Sequence, residues 1–268
     1  MTTQGEPPVL LDVTDGVGWI TLNRPKAYNA IDTDLAERLL DAVIRCDEDD
    51  DVRALLITGK GPSFCSGGDI RQMMDAVARD GDAAAFLKRL TVSLHEAIAT
   101  MAHMSKPVVT AVNGAAAGAG FSLALAGDLV LAAEGARFTV AYSAIGLAPD
   151  GSSTFTLPRV IGPKRAFELI HTNRVLSANE AKELGLVNQV FPAARFIEQA
   201  REYAVSVARG PTAALGCAKK LLTLSTQNSL ETQMEHERRA IAACGRTADF
   251  REGADAFFAK RPAKFQGR

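Results

Sequence analysis

Short apolar stretches in the first two thirds of the chain are separated by longer stretches with helical spacing. Residues 9–13 and 17–22 are rich in apolar and β-branched residues and flank Thr14-Asp15-Gly16, which predicts a β-hairpin. The pattern also predicts strands near residues 53–58, 107–113 and 128–133, and helices near residues 34–46, 84–102 and 118–126. Strands that alternate with helices are typical of an α/β core.

The last third of the chain has a different pattern. From Ala193 onward the apolar residues follow helical spacing, as at Leu215, Leu222 and between Met234 and Ile241, and no strand pattern is found. We therefore predict two parts, an α/β core over residues 1–192 and a helical region over residues 193–268.

Two turns of small residues follow predicted strands. In residues 109–122 a β-branched run gives way to glycine and alanine, and residues 64–70 repeat this change. If the N–H groups of Gly68 and Ala119 face one point, they form a pair of donors for a carbonyl oxygen that becomes negatively charged during a reaction. The alternative is that the small residues only let a strand and a helix pack closely.

Several motifs follow one another along the chain at characteristic spacing. They are Ile20-Thr21-Leu22-Asn23-Arg24-Pro25-Lys26-Ala27-Tyr28-Asn29-Ala30, Cys65-Ser66-Gly67-Gly68-Asp69-Ile70, Lys106-Pro107-Val108-Val109-Thr110-Ala111-Val112-Asn113-Gly114, Gly118-Ala119-Gly120, Gly127-Asp128, Leu176-Ser177-Ala178-Asn179-Glu180-Ala181 and Gly185-Leu186-Val187. With them the chain resembles the enoyl-CoA hydratase/isomerase family, the crotonase family, over nearly its whole length.

The resemblance implies a fold, a substrate class and an assembly. The expected fold is α/β, a crotonase-like spiral core of ββα units followed by a C-terminal helical trimerisation region. The expected substrate is an acyl-CoA thioester, and no cofactor is expected besides the coenzyme A that the substrate carries. The expected assembly is a homotrimer or a dimer of trimers.

The resemblance also assigns candidate site residues. The two oxyanion donors map to Gly68 and Ala119. The substrate-binding positions map to Arg24, Ala27, Tyr28, Ser66, Gly67, Ser122, Tyr142, Phe257 and Lys260. Phe257 and Lys260 match positions that touch coenzyme A in a neighbouring subunit. Lys260, Arg261 and Lys264 are expected near its phosphates, with a solvated basic tail as the alternative.

The chain departs from the hydratases of this family at their two catalytic glutamates. The matching positions hold Ser122 and Tyr142. A serine hydroxyl is not a base near neutral pH, and a phenol with a pKa of about 10 is a hydrogen-bond donor. Ordinary hydration of an enoyl-CoA is therefore not expected.

One carboxylate stands in a suggestive place, Asp150 within Pro149-Asp150-Gly151. The pattern around it most resembles ring 1,2-epoxyphenylacetyl-CoA isomerases of phenylacetate breakdown and Δ3,Δ2-enoyl-CoA isomerases. The resemblance implies that Asp150 moves a proton between two carbons while the two amides hold the enolate oxygen. From the residues alone, Asp150 could instead cap the following helix. The other functional alternatives are a hydratase of unusual design and a thioester-binding protein without activity.

Composition and charge narrow the remaining possibilities. The chain has 268 residues, 47% of them hydrophobic, and a net charge of −1, which argues against a nucleic-acid-binding surface. The sequence shows no signal peptide and no stretch long enough to cross a bilayer, so we expect a cytoplasmic protein.

The remaining reactive residues give weaker signals. The four cysteines are widely spaced, so neither a zinc site nor a disulfide framework is predicted, and no metal is expected. The acidic run at residues 47–51 is interpreted as a solvated connection. All four histidines, His95, His103, His171 and His236, are expected at the surface or in the core, and His95 is the one whose proximity to the pocket needs to be checked. The residues expected to shape the acyl pocket are Met73, Met74, Val77, Phe86, Leu87, Val140 and Tyr142.

Overall fold

The computed structural model describes residues 6–268, and the strands in this range form two sheets. The strands are β1 (Val9–Thr14), β2 (Val17–Leu22), β3 (Ala54–Gly59), β4 (Ser63–Cys65), β5 (Val108–Val112), β6 (Ala115–Ala117), β7 (Leu129–Ala133), β8 (Arg137–Thr139), β9 (Leu176–Ser177) and β10 (Gln189–Phe191). The predicted hairpin at the N-terminal end is confirmed, because β1 pairs antiparallel with β2 around Asp15 and Gly16.

Helices connect most of these strands and make up the C-terminal part. They are α1 (Thr33–Glu48), α2 (Ile70–Asp80), α3 (Ala84–His103), α4 (Ala119–Leu125), α5 (Ser153–Ile161), α6 (Pro163–Thr172), α7 (Ala178–Glu183), α8 (Phe196–Ala208), α9 (Thr212–Ser225), α10 (Leu230–Cys244) and α11 (Ala248–Phe258). The predicted alternation of strands and helices is confirmed. Among residues 6–268, no helix is both long enough and apolar enough to cross a membrane.

From β3 to β8, successive strands along the chain belong alternately to the larger and the smaller of the two sheets. The larger sheet has the order β1-β2-β3-β5-β7-β10, and every pair after β1 and β2 is parallel. The smaller sheet has the order β4-β6-β8-β9, with β4, β6 and β8 parallel. Parallel strands need crossover connections, which the intervening helices supply. Two strands of the smaller sheet, β4 and β6, lead directly into the glycine turns.

The larger sheet is buried on both faces because successive side chains of a strand point to opposite sides. Leu55 and Ile57 of β3 join one apolar cluster, which includes Leu39 of α1 and Leu94 of α3. The alternate residues of the same strand join a second cluster with Phe196 and Ala200 of α8. Helix α8 lies within the predicted helical region of the sequence, but it packs against the larger sheet of the α/β core. The division of the chain at residue 192 stays a prediction.

The next helix, α9, is fixed to the core by a partly buried ion pair. Lys219 Nζ lies 2.7 Å from Asp128 Oδ2, and the Lys219 side chain is 9% exposed. The same ammonium group donates to the carbonyl oxygens of Met101 and Lys106. Burial lowers the pKa of Lys219, while the Asp128 carboxylate acts in the opposite direction.

Replacing Lys219 by Met should destabilise the protein. The variant leaves Asp128 without its cation and two carbonyl groups without a donor, so we expect the free energy of unfolding to fall by about 1–3 kcal/mol. Urea unfolding at matched protein concentration measures this change. Lys220→Met, at the exposed neighbouring position of the same helix, is the control and should change stability by less than about 0.5 kcal/mol. Equal stability of the two variants would contradict this role of the ion pair.

Candidate active site

The first glycine turn joins β4 to α2 and is held by a short bridge to the segment before α1. Ile31 N–H donates to Gly67 O at 2.7 Å, and Asp69 N–H donates to Ile31 O at 2.8 Å. Gly68 lies between these two bonds, so its own N–H points to the opposite side. Asp69 then caps α2 by accepting a hydrogen bond from Arg71 N–H at 3.1 Å.

The second glycine turn joins β6 to α4 and needs glycine at two positions. Gly118 has φ 53° and ψ −126°, a region that only glycine adopts without strain. A Cβ on Gly120 would lie 2.1 Å from Cys65 O, so α4 approaches β4 backbone to backbone. Ala119, between them, is the first residue of α4, where no earlier turn of the helix supplies a partner for its N–H.

The two turns touch each other. A Cβ on Gly67 would lie 2.9 Å from Ala117 O and 3.4 Å from Ala119 N. Within residues 6–268, neither the Gly68 N–H nor the Ala119 N–H donates a hydrogen bond. Both residues line one cavity of about 560 Å³. The arrangement therefore offers two backbone donors at one end of a cavity.

The cavity is mostly apolar and contains the candidate acid. Its further lining residues are Ile31, Ser66, Gly67, Ile70, Met73, Leu87, Lys88, Leu90, Thr91, Leu94, His95, Gly118, Ala141, Tyr142, Ala144, Ile145, Leu147, Ala148, Pro149 and Asp150. Of the residues expected to shape it, Met73, Leu87 and Tyr142 are lining residues. The lining does not include Met74, Val77, Phe86 or Val140. The sequence analysis did not identify the contributions of Leu90, Thr91 and Leu94 on α3 or of residues 144–149.

A chain of hydroxyl groups holds Asp150 in this cavity. Tyr142 OH donates to Asp150 Oδ1 at 2.6 Å, and Ser122 Oγ lies 2.8 Å from Tyr142 OH. Ser122 Oγ also donates to Asp150 O at 2.9 Å. The single proton of Tyr142 goes to the carboxylate, so the single proton of Ser122 is shared between two acceptors, Tyr142 OH and Asp150 O. The alternative interpretation of Asp150 as a helix cap is wrong, because Ser152 directly precedes α5 and the Asp150 carboxylate faces Tyr142.

Tyr142 is a hydrogen-bond donor in this arrangement. Burial has the largest effect, followed by the charge of Asp150 and the hydrogen bond to it, and together these raise the pKa of the Tyr142 phenol far above its ordinary value. The phenol therefore stays protonated at neutral pH. Ser122 and Tyr142 stand where the resemblance places the hydratase glutamates, and here they form a support for Asp150.

His95 completes the surroundings of Asp150. It lies on α3, lines the cavity and is about half exposed, with its Nε2 3.4 Å from Asp150 Oδ2. The same nitrogen accepts a hydrogen bond from Gly151 N–H at 3.2 Å. His95 therefore lies at the pocket, although surface or core placement was expected for all four histidines.

Three predicted substrate-binding residues lie beside the cavity on the segment after β2. The Arg24 guanidinium is paired with Asp32 at 2.8 Å and with Asp69 at 3.1 Å, the residues that cap α1 and α2. Ala27 and Tyr28 follow, and Tyr28 O accepts from Ser66 N–H at 3.1 Å. This contact brings the segment to the rim of the first glycine turn.

The two predicted residues near the C-terminus lie outside the cavity. Phe257 is on α11 with 78% of its surface exposed, and Lys260 follows that helix. Their predicted contact with coenzyme A in another subunit stays a prediction. Among residues 6–268, no group of three or more His, Cys, Asp and Glu side chains is arranged to hold a metal ion.

Residues 12–268 match the family described as enoyl-CoA hydratase/isomerase. The chain belongs to this family. It is 39% identical over 261 residues to 1,2-epoxyphenylacetyl-CoA isomerase of Escherichia coli (strain K12), covering 97% of this chain and 98% of the relative. It is 35% identical over 269 residues to 4-chlorobenzoyl coenzyme A dehalogenase-2 of Arthrobacter sp, covering 100% of this chain and 94% of the relative.

Solved structures of relatives confirm the crotonase fold. The crystal structure of an enoyl-CoA hydratase from Bacillus anthracis superposes with a TM-score of 0.90 at 32% identity, covering 97% of this chain and 100% of that chain. The names of these relatives include an isomerase, a dehalogenase and a hydratase. Membership of the enoyl-CoA hydratase/isomerase family therefore supports the transformation of an acyl-CoA thioester without fixing the reaction.

The protonation of Tyr142 can be tested by absorbance titration of the phenolate. Because the Tyr142 pKa is strongly raised, this phenol should remain protonated up to about pH 11 in the folded protein. Wild type and Tyr142→Phe should then show the same absorbance change per molecule up to that pH. A smaller change in the variant would mean that Tyr142 ionises with the accessible tyrosines, and circular dichroism over the same range checks that both proteins remain folded.

Proposed function

We propose that this protein is an acyl-CoA isomerase that shifts a double bond or rearranges a ring-derived thioester through an enolate. The observation that carries the proposal is the position of Asp150. Among the described residues that line the cavity, it is the only carboxylate, and it shares the cavity with the free N–H groups of Gly68 and Ala119.

The reaction needs one group that removes and returns a proton. The thioester oxygen binds between the N–H groups of Gly68 and Ala119. Asp150 takes a proton from a carbon near the thioester, and the electron pair moves through the conjugated system to that oxygen. The enolate then collapses as the same carboxylic acid returns the proton to a different carbon. The two amides stabilise the charge that develops on the oxygen, since they are already oriented towards it.

The hydrogen bonds around Asp150 select which of its oxygens acts. Oδ1 accepts the short bond from Tyr142, so Oδ2 is the oxygen available for proton transfer. Tyr142 is held in turn by the fully buried Ser122. This support fixes the carboxylate in one orientation, which an acid that serves both proton transfers requires.

Hydration is a weaker proposal for this cavity. It requires a base for water and a separate proton source, and the hydratase glutamate positions hold Ser122 and Tyr142. The raised pKa of Tyr142 supports its role as a donor and argues against its use as a base at neutral pH. A single acid next to two amides supports isomerisation.

A second candidate function is displacement of halide from an aromatic acyl-CoA. The observation in its favour is the pair of His95 Nε2 and Asp150 Oδ2, 3.4 Å apart, together with the similarity to the dehalogenase. In this reaction Asp150 would attack the ring carbon, halide would leave, and water would cleave the ester after giving a proton to His95. Release of chloride from 4-chlorobenzoyl-CoA distinguishes this function from isomerisation.

Coenzyme A binding is proposed along the rim formed by Arg24, Ala27, Tyr28 and Ser66. Because the Arg24 side chain is committed to two aspartates, we propose that it shapes this rim and leaves the contacts to its neighbours. Phe257 and Lys260 would contact coenzyme A in a neighbouring subunit of a trimer or a dimer of trimers. A cytoplasmic role in the breakdown of aromatic acids fits the similarity to the isomerase and the apolar lining.

Replacing Asp150 by Asn tests the proposed function directly. The variant keeps the shape of the side chain and removes the base, so we expect kcat for isomerisation of a 3-enoyl-CoA or 1,2-epoxyphenylacetyl-CoA to fall by about 10²–10⁴-fold. Product analysis by chromatography and mass spectrometry measures this loss. Asp75→Asn, on the exposed face of α2, is the matched control and should keep full activity. Unchanged isomerisation by Asp150→Asn would refute the proposal.

Replacing Ala119 by Pro tests the role of the second amide. Proline lacks the N–H, and it is tolerated at the first residue of a helix, which is the position of Ala119 in α4. We expect kcat/KM to fall by at least about 10²-fold while the fold is retained. Ala119→Gly keeps the N–H and should retain activity within about tenfold. If both variants lose activity equally, the loss does not come from removal of the Ala119 N–H, and its proposed role in stabilising the enolate oxygen is refuted.

A further inference from the structure

His95 separates two cavities at the level of Asp150. Its side chain lines the acyl cavity and also a second cavity of about 510 Å³ between α3, α5 and α9. Its Nε2 has two polar neighbours, Gly151 N at 3.2 Å and Asp150 Oδ2 at 3.4 Å. Gly151 N–H needs an acceptor at Nε2, whereas the Asp150 carboxylate needs a donor there.

A ring nitrogen of histidine either accepts a hydrogen bond or donates one. To accept from Gly151 N–H, Nε2 needs its lone pair, so the imidazole is neutral and its proton is on Nδ1. In this form Nε2 offers no proton to Asp150. When the imidazole is protonated, Nε2 can no longer accept from Gly151 and instead donates to Asp150 Oδ2. Neutral His95 therefore bonds to Gly151 N–H, and protonated His95 bonds to Asp150 Oδ2, but neither form bonds to both.

We propose that His95 is a positioning residue whose neutral imidazole leaves Asp150 Oδ2 free for proton transfer. When the imidazole is protonated, it donates a hydrogen bond to Oδ2 and makes this oxygen less available to the substrate. The inference rests on the proposed function, because it concerns the same carboxylate. Oδ1 is already bound by Tyr142. Once Oδ2 accepts from the imidazolium, each oxygen of Asp150 holds one donor, and the ion pair makes the carboxylate a weaker base towards the substrate carbon.

The neutral imidazole of His95 also holds the backbone turn that follows Asp150, because it accepts the hydrogen bond from Gly151 N–H. Gly151 has φ 58° and Ser152 has φ 67°, so the turn that follows Asp150 is left-handed at both positions. A Cβ on Gly151 would lie 2.8 Å from the Cβ of Ser122, which fixes the turn from the inner side. The bond to His95 holds the Gly151 N–H from the other side. Loss of this acceptor therefore loosens the segment that orients Asp150.

Several other titratable or charged groups face His95. On the acyl side they are Lys88, Tyr142 and Asp150. On the other side they are Asp128, which is paired with Lys219, and Arg159, whose guanidinium lies 3.5 Å from the centre of the Phe155 ring. A substitution of His95 alone leaves all of these groups in place. A change in the pH profile can then be assigned to the imidazole.

The pH dependence of the His95→Gln variant tests the inference. Glutamine can still accept from Gly151 N–H and does not change charge. Imidazoles titrate between about pH 5 and 8, and carboxylates below about pH 5. We expect wild-type kcat/KM to fall by about tenfold for each pH unit below the imidazole titration. In His95→Gln this loss should begin only where carboxylates protonate, and kcat/KM at about pH 8 should stay within about tenfold of wild type.

Two further variants separate this role from a general structural effect. His103→Gln changes an exposed histidine at the end of the same helix and should keep the wild-type pH profile. His95→Ala removes the acceptor for Gly151 and should lower kcat at every pH, with recovery in His95→Gln. An unchanged acidic loss of activity in His95→Gln would overturn the inference. A different result would refute the proposed function, namely unchanged isomerisation by the Asp150→Asn variant.

Nitrogen NMR provides a readout that does not depend on activity. In protein with ¹⁵N-labelled histidine at about pH 8, where imidazoles are mostly neutral, the His95 signals should show a protonated Nδ1 and an unprotonated Nε2. Asp150→Asn should leave this tautomer unchanged, since Gly151 N–H is still the donor. A protonated Nε2 in the wild-type protein would contradict the inference.

Discussion

The site depends on the direct contact between two backbone turns. Gly67 meets the chain at residues 117–119, and Gly120 meets Cys65 O, at distances that leave no room for a Cβ. Side chains would hold the two turns apart and separate the N–H groups of Gly68 and Ala119. The parallel pairing of β4 with β6 brings the turns to the same end of the smaller sheet. Donors supplied by the backbone are fixed by the fold itself, which suits stabilisation of a charge that exists only briefly.

The acid of the site is held by groups that do not themselves carry a charge. Ser122 and Tyr142 form a chain of hydroxyl groups that ends on Asp150 Oδ1. In a partly buried cavity such hydrogen bonds are strengthened, and an unsatisfied polar group there is costly. The arrangement leaves one carboxylate oxygen for chemistry. His95 lies against that remaining oxygen and thereby links its availability to the charge of an imidazole.

The helical region after α8 exposes several large apolar side chains. Leu222, Ile241, Phe257 and Phe258 are each more than 70% exposed. Apolar residues in such number on one region are typical of an interface between proteins. The trimer or dimer of trimers that the family resemblance implies stays a prediction. Fixed to the core by Lys219 and Asp128, α9 provides a rigid base for that region.

The sequence by itself determined the α/β core and the two glycine turns, because strand periodicity and glycine chemistry are local properties of the chain. Asp150 became a candidate through the family resemblance. Only the tertiary structure decided that Asp150 faces Tyr142 and His95 instead of capping α5, and that residues 144–149 line the cavity. Ser122 lies on α4, His95 lies on α3, and Tyr142 and Asp150 lie in the connection between β8 and α5. Their meeting depends on how these three parts of the chain pack. Periodicity places a side chain on a face of its own helix or strand, and long-range packing decides what that face meets.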